Sequence, residues 1–149
     1  MDLERKRNLV VQSVISREGK NKYSQNEENR YLVDSGFSDC SSLVQWAYRK
    51  IGLEIGEDTG EQIKNGIWIL RGTEYPIERW MLPGDLLFFA TDYDNGRLER
   101  VGHVEMYVGD GEISGHGEGC GPVRKDMLVY CRKRNGEGKR FIGVKRYIK

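Results

Sequence analysis

Three prolines, three cysteines and two histidines are all that this 149-residue chain carries of the residues that most constrain a fold or its chemistry. An odd number of widely spaced cysteines makes no disulfide framework and fits synthesis in a reducing compartment. No apolar run approaches the ~20 residues that span a bilayer, which predicts no membrane insertion. Leu9-Val10-Val11 is far shorter than a signal-peptide core, so the sequence predicts no signal peptide and synthesis in the cytoplasm. An excess of either charge is lacking too. The 24 basic and 23 acidic residues leave a net charge of +1, with no field to draw nucleic acid. The one basic cluster, Arg132-Lys133-Arg134, runs into Asn135-Gly136 and reads as a solvated hairpin end.

What is present is enough for one core. With 38% hydrophobic residues, residues 1–149 fit a single domain, and 19 glycines concentrate the tight turns after residue 90. An amphipathic packing helix is predicted over residues 1–19, with Leu3, Leu9, Val10 and Val14 near one face and Gly19 as its stop. Lys20 to Asp34 has no period and reads as a loop anchored by Tyr23. A buried helix follows from Ser41 to Lys50, and a shorter one from Thr59 to Lys64. Then the period changes to that of strands. Leu86-Leu87-Phe88-Phe89-Ala90 suits a central strand covered on both faces. Val101 to Val108 alternates, with Val104, Met106 and Val108 on one side and His103, Glu105 and Tyr107 on the other. Further strands are expected over Glu112–His116, Met127–Cys131 and Phe141–Ile148. The class is α+β, with N-terminal helices packed on a central antiparallel sheet.

Cys40 lies where Phe37-Ser38-Asp39 turns into a helix, and the free N–H groups and positive dipole end at such a point favour a thiolate. The flanking Asp39, Ser41 and Ser42 are poor core neighbours, which separates Cys40 from Cys120, an incidental loop thiol, and Cys131, a core-facing strand residue. The two histidines are placed symmetrically about Gly109-Asp110, so a two-residue hairpin loop there pairs His103 with His116. A loop at Asp110-Gly111 makes them diagonal neighbours on the same face, and only a bulge or an odd loop separates them. His103 can then take the proton of Cys40 while His116 holds its ring. The backbone N–H of Cys40 is a natural oxyanion donor. Asp85, after Pro83-Gly84, is expected to accept turn N–H bonds. Trp68, Trp80 and Tyr107 are candidates for a groove wall or for packing.

These residues resemble the NlpC/P60 cysteine peptidases that cut peptidoglycan stem peptides. The resemblance covers about residues 20–149 and rests on Asp39-Cys40-Ser41-Ser42-Leu43-Val44, Leu82-Pro83-Gly84-Asp85-Leu86-Leu87-Phe88-Phe89 and Gly102-His103-Val104-Glu105-Met106-Tyr107-Val108-Gly109-Asp110-Gly111. It implies a papain-like fold in which Cys40 is the nucleophile, His103 the base and His116 the third polar residue. Tyr23 matches the family tyrosine near the nucleophile, and Asp39 and Ser41 are secondary candidates for substrate or oxyanion contacts. The implied reaction is hydrolysis, through a thioester, of the bond joining γ-D-glutamate to diaminopimelate or L-lysine, with no metal or organic cofactor. The setting of His116, with Gly115, Gly117 and Gly121-Pro122-Val123, looks most like phage and prophage members. That implies delivery to the wall by a phage tail or a secretion apparatus. Two features depart from the family pattern: Ser42 stands where a glycine is common, and Lys22-Tyr23-Ser24-Gln25-Asn26 lacks the Trp-Gly-Gly that usually precedes the cysteine.

Three other readings stand beside this one. A non-catalytic wall-binding or structural tail module of the same fold has no need for Cys40, His103 and His116 together. A related cysteine amidase or acyltransferase needs the same residues on another amide. A zinc site is suggested by the spacing of His116 and Cys120, with Cys40 and His103 completing four ligands.

Overall fold

The computed structural model describes residues 1–117 and 120–149. Helix α1 (Leu3–Ile15) starts at Asp2, whose carboxylate accepts the Arg5 N–H at 2.8 Å, and it buries Val10, Val11 and Val14. It stops four residues before Gly19. That glycine sits at φ +72° in the following turn and ties the segment to the sheet by donating to the Pro122 carbonyl at 3.1 Å.

Two short strands, β1 (Lys22–Tyr23) and β2 (Phe37–Ser38), pair in parallel and lead into helix α2 (Cys40–Arg49). Every α2 residue from Ser41 to Tyr48 except Trp46 is buried. A single helical turn, α3 (Thr59–Gln62), is capped by Asp58.

The rest is a six-stranded antiparallel sheet of β3 (Ile67–Arg71), β4 (Leu86–Ala90), β5 (Val101–Gly109), β6 (Glu112–His116), β7 (Pro122–Asp126) and β8 (Phe141–Arg146). Their spatial order is β3-β8-β4-β5-β6-β7. All five residues of β4 are buried, as its unbroken apolar run requires. Leu86, Phe88 and Ala90 join Val104 and Met106 against α1 and α2. Leu87, Phe89 and Tyr107 face the opposite layer, where Met127 and Cys131 cover them. At the head of β4, Asp85 accepts the Leu82 N–H at 2.8 Å and is clamped by both Arg146 Nε and Nη2 at 2.8 Å, the turn role expected of it.

The strand expected over Met127–Cys131 is instead part of helix α4 (Met127–Gly136). Asp126 accepts the Val129 N–H at 2.9 Å and caps the helix. Met127, Cys131 and Arg134 are buried at spacings of four and three, while Leu128 and Val129 face solvent. The alternation of Met127, Val129 and Cys131 is thus an accident of a helical face. Among the described residues no helix is long and apolar enough to cross a membrane.

The β5–β6 hairpin decides the geometry of the site. Its loop is Asp110-Gly111, with φ of +52° and +74°, a turn whose twist suits paired strands. Gly109 pairs with Glu112, but the next pair is Tyr107 with Ile113, so Val108 is an extra residue bulged out of β5. One inserted residue shifts the register of all that follows.

Candidate active site

Asp39 converts β2 into α2. Its Oδ1 accepts the Ser42 N–H at 2.8 Å while Ser42 Oγ accepts the Asp39 N–H at 2.9 Å, a reciprocal cap that explains why serine suits position 42. Arg30 closes on the same carboxylate, with Nε 2.7 Å from Oδ2 and Nη2 3.1 Å from Oδ1. Its Nη2 also donates to Ser41 Oγ at 3.0 Å and to the Glu57 carbonyl at 2.8 Å. Burial opposes the charge on Asp39, but the bonds from Arg30 and Ser42 outweigh it and hold the carboxyl below its usual range. Asp39 and Ser41, expected as substrate or oxyanion contacts, therefore spend their polar side-chain atoms on fixing the helix start.

Cys40 is the first residue of α2, half-buried where the helix meets the sheet. Its thiol departs from the sequence expectation. Burial, followed by the negative charge of Asp39, pushes it up to about 12; the Val104 N–H pulls it down and Glu105 adds to the rise. The helix start alone does not produce a thiolate, and Cys40 rests as a thiol.

Cys40 and His103 line one cleft of about 250 Å³, together with Tyr23, Thr91, Gly102 and Arg134. His103 Nε2 lies 2.5 Å from Glu105 Oε2. Burial lowers the pKa of His103, opposed by the hydrogen bond and charge of Glu105. A neutral ring beside a carboxylate carries its proton on the bonded nitrogen, which leaves Nδ1 as the unprotonated nitrogen. Glu105 is itself fully buried, and Lys125 Nζ donates to its Oε1 at 2.8 Å.

The structure does not bring His116 onto His103. With Val108 bulged out, Met106 pairs with Ser114, and continuing that register sets His116 opposite Val104 on the α2 side. There its Nδ1 lies 2.7 Å from the Cys120 carbonyl and its Nε2 2.6 Å from Ser38 Oγ, which also accepts from Asn21 Nδ2 at 2.9 Å. A carbonyl can only accept, so the proton sits on Nδ1 and the Ser38 hydroxyl donates to Nε2. Both ring nitrogens that the zinc reading needs for a ligand are thereby occupied by protein.

Tyr23 is held beside Cys40 by β1, opposite Ser38, with its ring edge-on to His116 at 5.6 Å between centroids. Burial and the nearby Cys40 and Asp39 raise its hydroxyl to about 12, so it remains a donor. Of the other aromatic candidates, Trp68 packs between Arg71 and Lys145, Trp80 is exposed, and Tyr107 joins the α4-side core. None lines the cleft. Glu105 and Lys125 are the members that sequence reasoning missed. The alternation of β5 already placed Glu105 on the side of His103, which was the available signal.

The chain matches the NlpC/P60 family over residues 19–128. Over 80 residues it is 38% identical to the gamma-D-glutamyl-L-lysine dipeptidyl-peptidase of Bacillus cereus (strain ATCC 10987 / NRS 248), a match covering 53% of this chain and 21% of that protein. A second 80-residue match, at 35% identity, is to the bifunctional muramidase/DL-endopeptidase CwlT of Bacillus subtilis (strain 168), covering 54% of this chain and 21% of that one. The chain thus spans about a fifth of the length of these curated relatives. Among solved structures, NlpC1 from Trichomonas vaginalis superposes with a TM-score of 0.68 at 28% identity, covering 98% of this chain and 44% of that one.

Proposed function

We propose, on the premise that the chain belongs to the NlpC/P60 family of cysteine peptidases, that it hydrolyses a peptidoglycan stem peptide through a thioester on Cys40. The observation that carries this reading is the shared cleft of Cys40 and His103, whose imidazole Glu105 holds at Nε2. A thiol pushed well above neutrality cannot attack by itself, so the base acts as attack proceeds.

In the first step Cys40 Sγ attacks the carbonyl carbon and its proton passes to His103 Nδ1. The oxyanion lies at the α2 start, where the Cys40 N–H lacks an intrahelical partner and Tyr23 supplies a hydroxyl. The tetrahedral adduct collapses to a thioester as His103 returns the proton to the leaving amine. Water, deprotonated by the same nitrogen, then releases the acyl group as a carboxylate.

The bond we assign joins γ-D-glutamate to the next residue, diaminopimelate or L-lysine, in keeping with the name of the gamma-D-glutamyl-L-lysine dipeptidyl-peptidase relative. A second cavity of about 330 Å³, lined by Arg30, Tyr31, Asp58 and Arg97, opens on the other side of Cys40 and gives room for residues on both sides of the bond. Delivery by a phage tail or secretion apparatus belongs to the same proposal. Incubation with defined muropeptides of both types, with products identified by mass, tests it. The expected products separate after γ-D-glutamate; cleavage elsewhere, or none, contradicts the assignment.

A further inference from the structure

The geometry points to Glu105 as the residue that orients His103 and fixes its tautomer, with Lys125 holding the carboxylate in place. This rests on the peptidase reading above and assigns the orienting role to the same strand as the base instead of its neighbour. Continuing the β5–β6 register sets Gly115 opposite Glu105. A Cβ at Gly115 would lie 2.9 Å from Glu105 Oε1, so the neighbouring strand offers an empty position that the Glu105 side chain fills.

The chemistry of the three groups explains why the residue is a carboxylate. His103 Nε2–H donates to Oε2 and the Lys125 ammonium donates to Oε1, so two donors meet two oxygens. Lys125 is anchored in turn, donating to the Gly115 carbonyl at 2.8 Å and lying 5.1 Å over the Tyr130 ring. An amide has one oxygen and cannot accept on both sides. During attack the thiol proton goes to Nδ1, the Nε2–H stays on Glu105, and the ion pair so formed stabilises the imidazolium. The charged or titratable groups around His103 are Glu105 on its own strand, His116 on β6, Lys125 on β7, Arg134 and Tyr130 on α4, and Cys40 on α2. Glu105 favours the protonated ring; Lys125 and Arg134 oppose it.

Glu105→Gln forces a choice. The Lys125 ammonium takes the amide oxygen, the amide NH₂ turns to Nε2, and the ring must carry its proton on Nδ1, where it no longer accepts from Cys40. The expected result is a kcat lower by about 10²–10³-fold with KM within about twofold. Adding Lys125→Met frees the amide oxygen to face His103, so the double variant recovers about tenfold or more of the lost kcat. A merely structural role predicts the reverse, since the second change removes another buried contact.

Lys125→Met alone tests the same network if Glu105→Gln folds poorly. It removes a cation that opposes the imidazolium, so the titration of His103 moves to higher pH. Nitrogen-detected NMR of His103 reads tautomer and titration without substrate and keeps this proposal separate from the peptidase assignment. Expected are an Nε2–H ring in the wild type, an Nδ1–H ring in Glu105→Gln, and an upward shift in Lys125→Met. A wild-type tautomer and kcat in Glu105→Gln, a double variant no better than the single one, or an unmoved His103 titration in Lys125→Met would overturn the proposal.

Discussion

The two faces of the β5–β6 hairpin hold one histidine each and use them in opposite ways. On the α4 side, His103 donates a hydrogen bond from Nε2–H to a buried carboxylate and lines the cleft it shares with Cys40. On the α2 side, His116 donates a hydrogen bond from Nδ1–H to a backbone carbonyl and accepts one from the Ser38 hydroxyl at Nε2, so both ring nitrogens are engaged. Burial lowers the pKa of both rings. What differs is the partner: a carboxylate can stabilise an imidazolium that forms and disappears in each turnover, whereas a carbonyl and a hydroxyl fix one neutral tautomer. Under the proposed mechanism the α4 side serves proton transfer, while the α2 side holds the Cys40 helix start on the sheet.

Substitution on each side should separate these roles. His103→Ala should lower kcat by about 10²–10⁴-fold in a protein that still folds, although the Glu105 oxygen left without its donor costs about 1–3 kcal/mol of stability. Failure of this variant to fold would erase the distinction. Arg30→Met, on the α2 side, should act through stability instead. It leaves the buried Asp39 carboxylate without its cation, at a cost of about 3–5 kcal/mol read by chemical denaturation. Little loss there would mean that the cap holds without Arg30.

His116→Ala sharpens the comparison most, since the hairpin parity of the sequence casts this residue as the orienter. The structure predicts a stability loss of about 1–3 kcal/mol from the Ser38 hydroxyl and Cys120 carbonyl left without the ring. It also predicts a kcat within about tenfold of the wild type. A loss of 10²-fold or more with unchanged stability would return the orienting role to His116. The smallest effect concerns pH. His103 must be neutral to act as base, and its pKa is lowered, so kcat/KM should rise through an acid limb below about pH 6.5 and stay flat through neutrality. A limb above that value would place His103 in a more solvated or more anionic setting than the structure shows.

Much of the fold was legible because its signals are local. The apolar run of Leu86–Ala90, the cap at Asp39 and the turn at Asp85 each carry their meaning within a few residues. The α+β class and the position of Cys40 followed from them. The β5 alternation also assigned its two faces correctly. What failed depended on one residue or on tertiary context. The bulge at Val108 leaves no mark in composition, yet it moves His116 to the other face and Gly115 into its place. Met127 to Cys131 satisfies strand and helix periods equally, and only the Asp126 cap and the layer it covers decide between them. The thiol of Cys40 was misjudged for the same reason. The helix start and the adjacent Asp39 are visible in sequence, but the burial and the nearness of Glu105 are not.

The central claim is that Cys40 is the nucleophile of a hydrolase, and turnover of defined muropeptides by Cys40→Ala tests it most directly. A half-buried thiol contributes little packing, so the variant should melt within a few degrees of the wild type and form no product detectable by mass. A folded Cys40→Ala protein that still releases the wild-type products would contradict the account.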